Sequence, residues 1–213
     1  REMTKSGLVD IMLMSASTGE RLTREGLFVG TAVTPAVRLN DTTDIWSARG
    51  GRYREQPSRH HRTARVDLAR DFCDLGLYSI TFSNERDIEA ENAEAYSDFR
   101  EEAMDFRMRH FLEVFNPAFD INLAAGGDLG AFINDNIVRT LAGVLDAEFP
   151  AFLKLQYNGP KAMEELASYD PAHLIVGILG GSAGTNRDTF ELVHQAEKYG
   201  ARVALFGRKI HLA

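Results

Sequence analysis

Cysteine is almost missing from this 213-residue chain. Cys73 stands alone, which excludes a disulfide framework and a cysteine-based zinc site. Positive charge is in deficit. Twenty-four Lys and Arg against 31 Asp and Glu leave a net charge of -7, which argues against bulk binding to nucleic acid or to an anionic membrane. There is no apolar run long enough to cross a bilayer and no signal peptide, so the sequence reads as that of a cytoplasmic protein with no membrane partner. The six histidines, His60, His61, His110, His173, His194 and His211, form no HxH or HExxH pair. No metal is therefore expected, and no zinc-dependent reaction. His110 and His173 precede strand patterns and belong at the face opposite an active site. No Ser-His-Asp arrangement can be placed.

What is present is ordinary globular composition, 44% apolar and 26% charged, in a length that suits one large domain spanning 1–213. The opening Arg1 to Gly7 reads as the tail of a helix with a glycine stop, and the chain ends just after an apolar strand pattern. Both ends read as clipped, with further chain expected before and after.

Short, near-continuously apolar runs alternate with longer amphipathic ones. Strands are expected over Val9–Met14, Phe28–Val33, Leu77–Phe82, Phe111–Phe115, Ala151–Leu155, Leu174–Leu179 and Val203–Phe206. Helices are expected over Glu85–Arg109, with a solvated acidic exterior, and over Gly130–Glu148, Lys161–Ser168 and Thr185–Tyr199, with Gly200 as a C-cap. Alternation of this kind implies α/β with a parallel sheet. Seven strand patterns between clipped ends predict a (β/α)8 TIM barrel lacking its first strand and last helix in this chain. A doubly wound sheet is the rival, but it places its glycine-rich turn after the first strand. Here the glycine pairs follow the late strands, where barrels bind phosphate. The segment 35–65 reads as a long arginine-rich loop without regular structure. Its arginines, over 49–65, fold over the active site, contact nucleic acid, or form a solvated loop with no ligand. With few aromatics (Trp46, Tyr53) and an acidic remainder, nucleic acid is not the expected partner. Arg38, Asn40, Asp41 and Asp44 lie nearer a strand end and are placed to face the site.

Lys154 is the most informative residue. It lies in FLKL, inside a buried-strand pattern, where an ammonium is costly to desolvate. A crowded apolar site depresses a lysine pKa and yields a neutral amine that attacks carbonyls. The alternatives are snorkelling to solvent or pairing with a carboxylate. Glu113, in FLEVF one strand earlier, is a general acid/base or the ion-pair partner of Lys154, and the two roles are compatible. Tyr157, just past Lys154, is a further acid/base candidate. Gly180, Gly181 and Ser182 follow the penultimate strand and open a helix, a backbone setting for phosphate. Helix capping by Ser182 or Thr185 is the alternative. Gly207 and Arg208 after the last strand add a second turn to the same phosphate site.

FLEVF, FLKL, GILGGSAGT (177–185) and ALFGRKI (204–210), in this order, resemble the class I sugar-phosphate aldolases. The pattern is closest to the tagatose-bisphosphate aldolase group, with the archaeal-type fructose-bisphosphate aldolases as relatives. The resemblance runs from about Leu77 to His211. It implies an imine-forming role for Lys154, an acid/base role for Glu113, and phosphate contacts at Gly180, Gly181, Gly207 and Arg208. Where the tagatose-type enzymes carry a further lysine on strand four, this sequence has Ser79. Leu179 stands where they carry a serine before the glycine pair. Ser79 and Arg38 are candidate substrate contacts.

The expected function is a class I aldolase that makes or breaks a C–C bond in a phosphorylated ketose through a lysine Schiff base. Neither cofactor nor metal is required, the partner is a phosphorylated sugar, and a homo-oligomer is compatible with the fold. The rivals are a non-catalytic sugar-phosphate-binding barrel and a metal-independent isomerase or epimerase with Glu113 as base.

Overall fold

The computed structural model describes residues 2–45, 48–180 and 184–207. In chain order the elements are α1 (Glu2–Lys5), β1 (Ile11–Ser15), α2 (Ala16–Arg24), β2 (Thr34–Arg38), β3 (Asn40–Thr42), β4 (His60–Arg62) and α3 (Val66–Ala69). They continue with β5 (Leu75–Thr81), α4 (Arg86–Asp105), β6 (Arg109–Phe115), α5 (Leu129–Leu141), β7 (Leu153–Leu155), α6 (Pro160–Tyr169), β8 (Val176–Gly180), α7 (Asn186–Lys198) and β9 (Val203–Phe206). Gly7, with φ at +68°, follows α1 as the left-handed stop that the sequence predicts.

Seven strands form one sheet in the order β1-β2-β5-β6-β7-β8-β9, and every neighbouring pair is parallel. Spatial order follows chain order throughout. A doubly wound sheet reverses direction midway, so this winding is that of a barrel wall. The two faces of the sheet bury different things. Leu112, Val114, Leu153, Leu155, Val176 and Ile178 pack with helix residues such as Tyr96, Phe99, Ile133, Met163 and Ala196. The alternate residues Ala36, Leu75, Leu77 and Phe111 form a second cluster with Phe152, joined by Ile11, Leu13, Val203 and Leu205. Among the described residues no helix contributes to that inner cluster, yet Ala36, Leu77 and Phe111 are fully buried. A sheet face dries without a covering layer only when the sheet curls on itself. The fold is therefore a curled, partial α/β barrel. Among the described residues β1 and β9 do not pair, so closure into eight strands is not seen.

The helices cover the convex face for the expected reason. In α4 the buried residues are Ile88, Asn92, Tyr96, Phe99 and Ala103, a three-to-four-residue stripe. Met104 and Phe106, apolar residues near its C-terminal end, are exposed. Within α4 and the other described helices no segment is long and apolar enough to cross a membrane.

Two expectations fail in the same place. Phe28–Val33 is not a strand; the strand runs from Thr34 to Arg38. Pro35 misled the reading, because proline cannot donate a ladder hydrogen bond and is usually a strand breaker. It is tolerated here as the second residue of β2, opposite Met12, while Ala36 and Val37 behind it are fully buried. The segment 35–65 is likewise not without structure. It holds most of β2 and the antiparallel hairpin of β3 and β4, with Asp41 opposite His61 and a 3₁₀ turn at Tyr53–Glu55 between the strands. The short helix α2, whose N-terminus Ser15 caps, also escaped the sequence reading.

Candidate functional site

Alternation along the strands decides which side chains enter the concave face. Ala36, Leu77, Phe111 and Phe152 face inward. The residues two further on in each case, Arg38, Ser79, Glu113 and Lys154, share that face. Ser79, Glu113 and Lys154 are register partners on β5, β6 and β7, so they stand side by side in one row. The row sits above the apolar inner cluster, toward the C-terminal ends of the strands.

Glu113 is the centre of the row and is about 1% exposed. The Lys154 amine donates to its Oε1. Ser79 Oγ donates to Oε2 at 3.1 Å, and Arg38 Nη1 reaches the same oxygen at 3.1 Å. The same Nη1 lies 3.0 Å from Ser79 Oγ and 3.5 Å from Asp41 Oδ1. The carboxylate thus has both oxygens engaged and two cations beside it. Asn40 fixes Ser79 from below. Its side chain donates to the Ser79 carbonyl at 2.8 Å and accepts from the Ser79 amide, extending the ladder where β2 leaves β5.

Burial pushes the Lys154 pKa down. Glu113 pulls it up through charge and hydrogen bond, and the Arg38 charge pushes it down further; the net direction is downward. Burial likewise raises the Asp41 pKa, against the opposing pull of Arg38. Such a row can hold an amine partly unprotonated beside a carboxylate able to take a proton.

The structure brings together Lys154, Glu113, Ser79, Arg38, Asn40 and Asp41, all named from sequence. It does not bring Tyr157 to them. Tyr157 has the opposite parity to Lys154, packs against the outer core, and has Tyr199 and Glu191 as its electrostatic neighbours. At Gly180 there is a steric demand for glycine, separate from the phosphate contact expected of it. A Cβ there would come within 2.0 Å of the Phe206 ring, which packs on the outer core. Gly181, Ser182 and Arg208 lie outside the described residues. At Gly207 an added Cβ would meet nothing within 4 Å. Thr185 caps α7 in a capping box with Asp188, so the capping alternative holds for that residue.

Asp44 accepts from Ser58 at 2.8 Å and from Thr81 at 3.2 Å, one step beyond Ser79 along β5. Gln156, two residues after Lys154, accepts from the Asn116 amide at 2.9 Å, and Asn116 donates to Asn158 at 2.6 Å. Sequence reasoning missed Thr81, Asn116, Gln156 and Asn158. The available signal was a polar residue at or just past each strand end. The arginine-rich segment spends its charge locally. Arg59 pairs with Glu91 and Arg62 with Glu102, both on α4, while Arg52 pairs with Glu55 and Arg65 with Asp67. His110 is buried on the outer face, where Tyr96 and Phe99 pack against it. Among the described residues no group of three or more His, Cys, Asp or Glu is arranged to hold a metal ion.

No protein-family model and no curated protein sequence matches the chain. Its fold does match a solved structure described as a Schiff-base-forming fructose-1,6-bisphosphate aldolase. The TM-score is 0.61 at 18% sequence identity, over 94% of this chain and 70% of the other. At that identity the likeness is one of fold, a parallel α/β barrel wall.

Proposed function

We propose that this chain is the catalytic barrel of a Schiff-base aldolase acting on a phosphorylated ketose. The observation that carries the reading is the buried Lys154 on the concave face, with Glu113 on its amine and its pKa held down. The fold shared with a Schiff-base-forming aldolase supports it.

In the cleavage direction the neutral Lys154 amine adds to the substrate ketone. The carbinolamine oxygen is protonated and leaves as water, giving an iminium. The hydroxyl proton on the far side of the scissile bond passes to the Glu113 carboxylate as the C–C electron pair moves onto the iminium. An aldehyde departs and an enamine remains on Lys154. Protonation of the enamine carbon and hydrolysis then release the second carbonyl product and free the amine. The phosphate is assigned to the loops after β8 and β9, at the C-terminal mouth of the sheet, where Gly207 leaves open backbone. Ser79 and Arg38 hold the second oxygen of Glu113, so the carboxylate keeps one orientation.

A second reading has an observation of its own. The Lys154–Glu113–Arg38 group is self-satisfied, as a structural ion-pair cluster in a non-catalytic sugar-phosphate-binding barrel would be. A product assay separates the two. The full chain is incubated with a panel of phosphorylated ketoses, fructose 1,6-bisphosphate among them, and triose phosphate release is measured. Release that disappears in Lys154→Ala supports the aldolase. Ketose binding without release from any member of the panel supports the silent barrel.

A further inference from the structure

The proposed reaction needs Lys154 unprotonated, yet its hydrogen-bond partner is a carboxylate, which favours the protonated form. That carboxylate is shared. Glu113 Oε1 takes Lys154, while Oε2 takes Arg38 Nη1 at 3.1 Å. Arg38 comes from β2, beyond β5, and reaches over Ser79 to arrive there. Two cations therefore compete for one buried carboxylate. A guanidinium does not give up its proton in a protein, so only the lysine can become neutral. We propose that Arg38 is a positioning residue that draws the Glu113 carboxylate off Lys154 and so keeps the lysine amine available as a nucleophile. This role rests on the Schiff-base reading and differs from the substrate contact expected for Arg38 from sequence.

Every charged group at the site fits the role. Facing Lys154 are Glu113 from β6 and Arg38 from β2, and its register partner on β8 is Gly177, which brings no charge. Asp41 on β3 faces Arg38 at 3.5 Å and holds the guanidinium in place from the other side. Burial and the Arg38 charge both act on Lys154 against Glu113. Arg38 and Asp41 are half-buried, whereas Glu113 and Lys154 are buried.

The test reads the lysine itself. The sequence has five lysines, so the full chain labelled with 13Cε-lysine gives a small set of NMR signals, with Lys154 assigned by its loss in Lys154→Arg. In the wild type Lys154 titrates below the other lysines. In Arg38→Gln its midpoint rises by about one pH unit or more, leaving about tenfold less neutral amine at neutral pH. Arg38→Lys, which keeps a cation, moves it less. An unchanged midpoint in a folded Arg38→Gln overturns the proposal. Should that variant not fold, Asp41→Asn serves instead: releasing Arg38 fully to Glu113 lowers the Lys154 midpoint, and a midpoint that does not fall overturns the proposal. Imine trapping on the wild type is run in parallel. A shifted midpoint without trapping sinks the aldolase reading and leaves only the effect of Arg38 on the Lys154 titration; trapping without a shift keeps the aldolase reading and overturns the Arg38 role.

Discussion

Lys154 and Glu113 are register partners on β7 and β6, and the lysine amine donates to Oε1 of the carboxylate, with both side chains buried. The pair is more than a contact. Its two members compensate each other's desolvation, so removing one strands the other.

That gives the first prediction. Lys154→Met leaves Glu113 with Arg38 as its remaining cation, whereas Glu113→Leu leaves the buried Lys154 facing the half-buried Arg38 without the carboxylate between them. Glu113→Leu should therefore be the more destabilising, by about 3–5 kcal/mol. The double variant Lys154→Met/Glu113→Leu should cost less than Glu113→Leu alone. Urea unfolding of the three variants checks this; equal costs for the two single changes would contradict it.

Stability should fall as the solution is acidified from about pH 6.5 to about pH 4. His110 is buried beside Phe99, and its pKa is lowered by burial to about 4. The unfolded chain binds a proton at this residue below about 6.5 while the folded chain does not until about 4, so the folded state loses ground across that window. The loss amounts to about 3 kcal/mol by pH 4. The unfolding midpoint as a function of pH measures it, and His110→Gln should flatten the curve over that window.

Gly180→Ala should be destabilising by about 1–3 kcal/mol through overlap with the Phe206 ring. Phe206→Ala should relieve most of that cost, a coupling that a double-mutant cycle reads directly. Additive effects would mean that the glycine serves something other than the ring.

Tyr157→Phe should leave the rate of imine formation unchanged, because the side chain packs on the outer core. Ser79→Ala should slow it by about tenfold, since it removes the hydroxyl that orients Glu113 Oε2. Stopped-flow or quenched trapping with a ketose phosphate compares the two.

The site was legible where parity alone governs it. Lys154 in FLKL and Glu113 in FLEVF break two apolar runs at equivalent positions, and the sheet puts them opposite each other. Lysine and glutamate in such runs have to meet a partner, so pairing could be read without coordinates. Arg38 could be named but not given its partner, because its contact with Glu113 spans 75 residues. Its strand was mistaken too, since Pro35 reads locally as a breaker and only the sheet shows that it is tolerated. The hairpin of β3 and β4 was hidden by arginines whose counter-charges lie on α4, more than 30 residues later. The steric demand at Gly180 was hidden because the ring that makes it arrives only with β9. Tyr157 was favoured by nearness in sequence, but it lies past the end of β7 and packs on the outer core.

The central claim is that Lys154 forms a covalent imine with a ketose phosphate. Borohydride reduction in the presence of dihydroxyacetone phosphate and fructose 1,6-bisphosphate, read by intact and peptide mass, tests it most directly. The account predicts a reduced adduct on the peptide carrying Lys154, absent from Lys154→Ala. A folded chain that binds these phosphates and yields no adduct, or yields one only on another lysine, would contradict it.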